Sequence, residues 1–178
     1  MRSSPRLRFV TDADVPAITS IYSHHVRYGA GSFEIDPPGE DEMLRRRQEL
    51  GRRGLPFLVA EIDGVLVGYA YAGLYRERVA YRFTLEDSVY VHPAHVGRGI
   101  GHSLLSALIT ACEELGYRQL VAVIGDSENL ASIRLHERCG FQHVGVLKAV
   151  GFKFGRWVDA VFMQRSLGSG ETTNPAGI

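Results

Sequence analysis

The run Leu85-Glu86-Asp87-Ser88-Val89-Tyr90-Val91-His92-Pro93, followed at once by Val96-Gly97-Arg98-Gly99-Ile100-Gly101, constrains the fold of this chain more than any other segment. The β-branched and aromatic residues read as a strand, Leu85 to His92, that Pro93 ends. Glycines at 97, 99 and 101 make a turn where backbone approaches a ligand with no Cβ in the way. Ile100, Leu104, Leu105, Leu108, Ile109, Cys112 and Leu115 then recur at helical spacing, and Gly116 stands where a C-terminal cap belongs. Leu120 to Ile124 is a further apolar strand, so residues 85 to 124 form a strand-helix-strand step that needs a parallel pair. The unpaired N–H groups of a helix's first turn attract phosphate, which puts an anionic ligand at the carboxyl end of the first strand.

The kind of turn matters. A dinucleotide fingerprint has G-x-G-x-x-G early in a βαβ unit, and a P-loop has Gly-Lys-Ser/Thr. Here the spacing is G-x-G-x-G, no lysine follows, and the turn lies past the middle of the chain. Neither nucleotide motif fits.

The rest of the chain surrounds that step with local signals. Leu7 to Val10 reads as a strand, and Thr11 with Asp14 as a capping signal for a helix bearing Val15, Ile18, Ile21 and Tyr22. Asp36-Pro37-Pro38-Gly39 breaks the chain before a mostly solvated helix from about Glu40 to Arg53. Phe57–Ile62 and Val65–Tyr75 are strands joined by Asp63-Gly64, a two-residue hairpin signal. Asn129 to Cys139 is a short helix closed by Gly140, and His143–Phe152 with Arg156–Gln164 a final hairpin turning at Phe154-Gly155. The expected class is α/β (α+β) with a mixed sheet covered by helices on both faces. One domain over residues 1–168 and a polar, disordered tail over 169–178 complete the expectation.

Composition excludes more than it assigns. At 178 residues and 45% hydrophobic, the chain suffices for one substantial core and is short for two domains. Twenty basic residues balance twenty acidic ones, so no net field draws it to nucleic acid or membrane. Cys112 and Cys139 both lie in apolar helical patterns and form neither a metal cluster nor a disulfide scaffold. Arg2, Arg6 and Arg8 precede no apolar signal-peptide core, and no run approaches the ~20 apolar residues of a membrane span. The expectation is a soluble cytoplasmic protein with buried thiols and no metal.

The glycine turn resembles the pyrophosphate loop of the GNAT N-acetyltransferases, Arg/Gln-x-x-Gly-x-Gly/Ala, with Val96 standing where that family usually has Arg or Gln. The resemblance covers roughly Leu7 to Leu167. Phe57-Leu-Val-Ala-Glu, Gly68-Tyr-Ala-Tyr-Ala-Gly, Thr84-Leu-Glu86-Asp-Ser-Val-Tyr-Val, Asn129-Leu-Ala-Ser132-Ile-Arg-Leu-His136 and Gly151-Phe-Lys-Phe-Gly-Arg-Trp157-Val-Asp159 are similar to its phosphinothricin and methionine-sulfoximine N-acetyltransferase branch. It implies the GNAT acyl-CoA N-acyltransferase fold, acetyl-CoA as co-substrate without a metal, an amino-acid-like acceptor, a role in toxin or herbicide resistance, and a homodimer.

Residue readings follow from pattern and resemblance together. Glu86 shares a strand face with Ser88 and Tyr90, opposite Leu85, Val89 and Val91; on pattern it is a working carboxylate or an ion-pair partner of Arg82 or another arginine. The resemblance makes it the general base that deprotonates an α-ammonium group. It also implies that the backbones of Val89, Tyr90 and Val91 meet pantetheine like an added strand. Gly97, Arg98, Gly99, Ile100, Gly101 and His102 then hold pyrophosphate. Asn129 and Ser132 are carried over as coenzyme contacts, Asn129 also being a natural N-cap. His136, a core-edge histidine on pattern alone, falls by resemblance beside the leaving sulfur, placed to contact coenzyme A and to protonate its thiolate.

Arg76, Glu77, Arg78, Tyr81 and Arg82, just ahead of Glu86, are on pattern a solvated charge run. Leading into the catalytic strand, their guanidinium forks match carboxylate or phosphinate oxygens. With Asp87, Ser88 and Phe33 they make the expected acceptor site, and Trp157 is a candidate wall. Two other functions compete: acetylation of a protein N-terminus or another small amine, and an acyl-CoA-binding module without catalysis. A polyamine site should be acidic, whereas residues 76–82 are net basic.

Overall fold

The structure, a computed structural model, describes residues 4–175; Arg2 and the last three residues of the expected tail fall outside them. Among the described residues seven strands and four α-helices follow one another: β1 (Arg6–Phe9), α1 (Val15–Tyr28), α2 (Glu40–Arg52), β2 (Phe57–Ile62), β3 (Val65–Leu74), β4 (Thr84–Val91), α3 (Ile100–Glu114), β5 (Gln119–Gly125), α4 (Leu130–Arg138), β6 (Gln142–Lys153) and β7 (Arg156–Ser166). The strands form one sheet in the order β1-β2-β3-β4-β5-β7-β6. Among the described residues only β4 and β5 run parallel, as the strand-helix-strand step requires.

Local chemistry explains these elements. Asp63-Gly64 and Phe154-Gly155 turn with φ of 50° and 79°, and of 53° and 71°, the two left-handed residues of a type I′ hairpin. Thr11 N–H donates to Asp14 Oδ2 at 2.7 Å, and Arg8 fixes the same carboxylate at 2.8 Å. That contact caps the short 3₁₀ turn leading into α1. α2 buries only Met43, and Glu42 with Arg45 and Arg46, and Glu49 with Arg52 and Arg53, pair along its solvated face.

Each face of the sheet has its own core. Val15, Ile18, Ile21, Tyr22 and Val26 of α1 and Met43 of α2 pack on Phe57, Val59 and Tyr69. Ile100, Leu104, Leu105, Leu108 and Cys112 of α3 and Ile133 of α4 pack on Ala60, Ala70, Leu85, Leu120 and Met163. The sheet is thus mixed and covered on both faces, as expected.

The described part of the tail has partners in the fold. Over residues 169–174 it folds back onto Arg118, whose guanidinium donates to Ser169 Oγ at 2.6 Å, Gly170 O at 3.1 Å, Thr173 Oγ1 at 3.1 Å and Asn174 O at 3.2 Å. One multi-donor side chain supplies the order that the polar composition lacks. At the other end of the sheet β6 is an exposed edge strand, with Val144, Val146, Leu147, Val150 and Phe152 all more than 40% accessible.

Candidate active site

The parallel pairing of β4 with β5 lasts three residues, from Thr84–Gln119 to Glu86–Val121. β4 then continues to Val91 and β5 to Gly125 without pairing to each other, and a cleft of about 780 Å³ opens between them. It lies at the carboxyl end of the parallel strands, where the sequence places an anionic ligand.

Which main-chain groups reach this gap follows from the ladder. Tyr75 N–H donates to Thr84 O, and His92 N–H to Val67 O at 2.8 Å, so even-numbered residues of β4 turn their N–H and C=O towards β3. Asp87, Val89 and Val91 turn theirs into the gap, which suits the role expected of Val89 and Val91. Tyr90 also lines the cleft, with its main-chain groups turned the other way. Its main chain pairs with Tyr69, and its ring packs edge-on against Tyr22, with centroids 5.1 Å apart, on the α1 side. Val91 O already accepts from His25 Nε2 at 2.8 Å. Burial pushes the His25 imidazole below its ordinary range, although the Val91 contact works against that, so a neutral ring donates this bond. Sequence reasoning missed His25; the His24-His25 pair near the end of α1 gave no distinguishing signal.

The glycine turn is built as expected, with reasons that differ between its members. Gly97 and Gly99 have φ of 75° and 79°, where L side chains strain, and open space surrounds both. Gly101 is helical, and a Cβ there would come 3.2 Å from Leu135, so its smallness serves α3–α4 packing. Ser103 N–H is bonded to Gly99 O at 3.0 Å, so the first-turn donors open to a ligand are those of Ile100, Gly101 and His102. Gly97, Gly99, Ile100, Gly101 and His102 line the cleft, whereas Arg98 is exposed outside its lining. Arg134 and Arg138 of α4 line it instead, a pair four residues apart that the sequence reading passed over.

Glu86 is half-buried and enters no ion pair among the described residues, which sets aside the pairing with Arg82. Arg82 lies over the Phe83 ring and donates to Val79 O at 3.2 Å. Burial raises the Glu86 carboxyl above its ordinary range; the charge of Arg76 opposes this and that of Asp87 adds to it. A partly desolvated, unpaired carboxylate with raised proton affinity suits proton abstraction.

Asp87 lies on the opposite face from Glu86, and its partner is His136. His136 is 4% exposed; its Nε2 lies 3.0 Å from Asp87 Oδ2 and its Nδ1 2.7 Å from Ser132 O. A carbonyl only accepts, so Nδ1 carries a hydrogen, and the second ring proton is shared with Asp87. Both ring nitrogens are therefore committed within the protein. Both residues line the cleft, with the Asp87 side chain turned to His136. Burial alone lowers the His136 pKa, but the hydrogen bond and charge of Asp87 outweigh it and raise it. Asn129 caps α4 by accepting from Ser132 N–H at 3.3 Å, and both residues line the cleft.

The expected acceptor residues are not equally placed. Arg76 lies over Tyr75 and donates to Tyr75 O at 2.9 Å, within electrostatic reach of Glu86. Glu77 and Arg78 are exposed, and Tyr81 meets Tyr75 edge-on. Phe33 lies so close to Gly151 that a Cβ there would overlap its ring. Ser88 lines the cleft, whereas Trp157 does not and is 65% exposed against Phe152. Cys112 and Cys139 are buried; burial pushes the Cys112 thiol up to about 12 and leaves it inert as a nucleophile. No helix of the described residues is long and apolar enough to cross a membrane, and no group of three or more His, Cys, Asp or Glu there is arranged to hold a metal.

Comparison with known proteins agrees with this geometry. The model of the acetyltransferase (GNAT) family matches residues 18–141. The chain is 58% identical to a phosphinothricin N-acetyltransferase of Alcaligenes faecalis, across 98% of this chain and 88% of that one. It is 44% identical to an L-methionine sulfoximine/L-methionine sulfone acetyltransferase of Salmonella typhimurium, across 90% and 94%. A Sinorhizobium meliloti phosphinothricin acetyltransferase, solved in complex with acetyl-CoA, superposes with a TM-score of 0.96 at 45% identity over 98% of this chain and 95% of that one. A parallel pair that splits beside a free carboxylate, a glycine turn opening a helix, and these matches across the sheet and both helical layers agree that the chain belongs to the GNAT family of N-acetyltransferases.

Proposed function

We propose that this protein transfers acetyl from acetyl-CoA to the α-amino group of a small amino-acid analogue of the phosphinothricin, methionine sulfoximine or methionine sulfone type. The observation that carries the reading is the split between β4 and β5, which begins just past Glu86, the last β4 residue paired with β5, whose carboxyl is free of ion pairs and raised in proton affinity. Similarity to enzymes named for those substrates supports the acceptor class. Glu86, directly or through a water, takes a proton from the substrate ammonium, and the freed nitrogen attacks the thioester carbonyl. Val89 N–H, turned into the gap, is placed to polarise that carbonyl. The C–N bond forms, the nitrogen gives up its second proton to water, the C–S bond breaks, and the thiolate takes a proton from solvent. Transfer is direct, since neither buried cysteine reaches the cleft.

First-turn donors of α3 receive the pyrophosphate, with Arg134 and Arg138 adding charge where Val96 replaces the family's usual Arg or Gln. Asp87, Ser132 and His136 shape the coenzyme side, and Arg76 with Ser88 the acceptor side. The exposed apolar edge of β6 supports a homodimer, which sedimentation would test. We place the protein in the cytoplasm, with detoxification of such analogues as its role. The test is a panel of phosphinothricin, methionine sulfoximine, methionine sulfone, natural amino acids and a peptide N-terminus, read by release of free coenzyme A. Turnover of the peptide alone would establish the rival acetylation, and binding of acetyl-CoA with no thiol release would leave a non-catalytic module.

A further inference from the structure

Lys153 is 4% exposed, and its ammonium group donates to main-chain carbonyls rather than to a carboxylate: Gly29 O at 2.9 Å and Ser32 O at 2.8 Å. The Phe154 ring covers it at 5.0 Å. A buried cation with neutral partners is a costly way to hold a fold together, so its placement calls for another reason. Both carbonyls belong to the turn between α1 and α2, more than a hundred residues away, and Tyr28 at the end of α1 with Gly29, Ala30 and Gly31 of that turn line the cleft.

Two glycines complete the fit. A Cβ at Gly125, the last residue of β5, would overlap Ala30 O, and one at Gly151 of β6 would overlap the Phe33 ring. From its other side the turn is held by Tyr22 Oη on Ser32 Oγ at 2.9 Å and by Arg46 on Glu34 at 2.6 Å. The α1–α2 turn is therefore seated between its own helices and the β6–β7 hairpin, and Lys153 is the polar tie on the sheet side.

We propose that Lys153 is a positioning residue: by holding Gly29 O and Ser32 O it keeps the α1–α2 turn against Gly125 and Gly151, and that the stretch of cleft wall so preformed receives the acceptor amine. This rests on the amine-acetylating reading above. Losing two charged hydrogen bonds should raise the KM for the amine about tenfold or more. The acetyl-CoA site, built on α3 and α4, should keep its affinity within about threefold, and kcat should change less than KM.

The experiment compares wild type with Lys153→Met by steady-state kinetics, calorimetric acetyl-CoA binding, and amide hydrogen exchange of residues 29–34. Faster exchange in the turn together with a raised amine KM and unchanged acetyl-CoA affinity supports the proposal. Wild-type exchange in the turn, or a wild-type amine KM in folded Lys153→Met, overturns it; so does a parallel loss of acetyl-CoA affinity, the mark of general structural damage. Gly151→Ala displaces Phe33 without touching the ammonium and should reproduce the KM effect, and it decides the matter if Lys153→Met does not fold. Should wild type acetylate none of the amines, the functional reading fails, while hydrogen exchange still tests the clamp.

Discussion

Replacing Asp87 by Asn converts the buried pair with His136 into a neutral contact of nearly the same shape, and the cost of that change should depend steeply on pH. In wild type the ring donates from Nδ1 to Ser132 O, and its second proton lies towards Asp87 Oδ2, so the carboxylate holds the imidazole pKa above its ordinary value. A raised pKa contributes stability that is fully present below the unfolded value, about 6.5, and is lost as pH rises through the folded value. In Asp87→Asn the ring keeps its Nδ1 hydrogen and accepts at Nε2 from the amide, while burial keeps it neutral. Folding must then expel a proton at low pH, which lowers the variant's stability by about 1.4 kcal/mol per pH unit below 6.5. By pH 5 that amounts to about 2 kcal/mol beyond the roughly 1 kcal/mol expected for the hydrogen-bond change itself at high pH. Urea denaturation of both proteins at about pH 5 and pH 8.5 measures the difference. An equal cost at the two pH values would refute the shared proton and the argument that His136 is committed to Asp87.

Three further outcomes are expected. Glu86→Gln should lower turnover by ~10²- to 10⁴-fold; calorimetry should show little change in acetyl-CoA affinity, and the acidic fall of kcat/KM, set above the ordinary carboxylate range by burial of Glu86, should vanish. Gly99→Val forces a branched residue to φ of 79° in open space and should abolish acetyl-CoA binding by calorimetry while the fold survives, whereas Gly101→Val presses on Leu135 and should lower the melting temperature as well. Amidating the carboxylate of methionine sulfone should lower kcat/KM about tenfold or more, and Arg76→Gln should erase the difference between acid and amide, Arg76 being the arginine of its run whose charge acts on Glu86.

The elements were legible because their signals are local. Asp63-Gly64 and Phe154-Gly155 specify two hairpins by conformations that few residues adopt, and Gly116 and Gly140 close α3 and α4 at φ of 83° and 82°. The glycine turn between an apolar strand and an apolar helix demanded the one parallel pair, and with it the position of the cleft. The tail was illegible for the opposite reason. Its order depends on Arg118, at least fifty residues earlier in the chain, and polar composition is silent about a distant donor.

The same distinction runs through the site. Glu86 stood out because strand alternation exposes a carboxylate to one face within a few residues. Alternation also carried information that was not used: between Leu85 and Val89, Asp87 is the one carboxylate on the apolar face, and such a group demands a partner from whatever packs there. α4 supplies His136, 49 residues away, and only the fold reveals that the carboxylate and the candidate acid occupy each other. Tyr90 shows the limit within a strand. Neighbouring residues of β4 send their main-chain groups to opposite sides, so Val89 and Val91 face the gap while Tyr90 must face β3, a parity that the pairing register sets and the residue types do not. Lys153 combines both cases. A lysine between Phe152 and Phe154 is a local anomaly visible in the sequence, but its partners are two carbonyls, which every residue possesses, and no side-chain pattern names them.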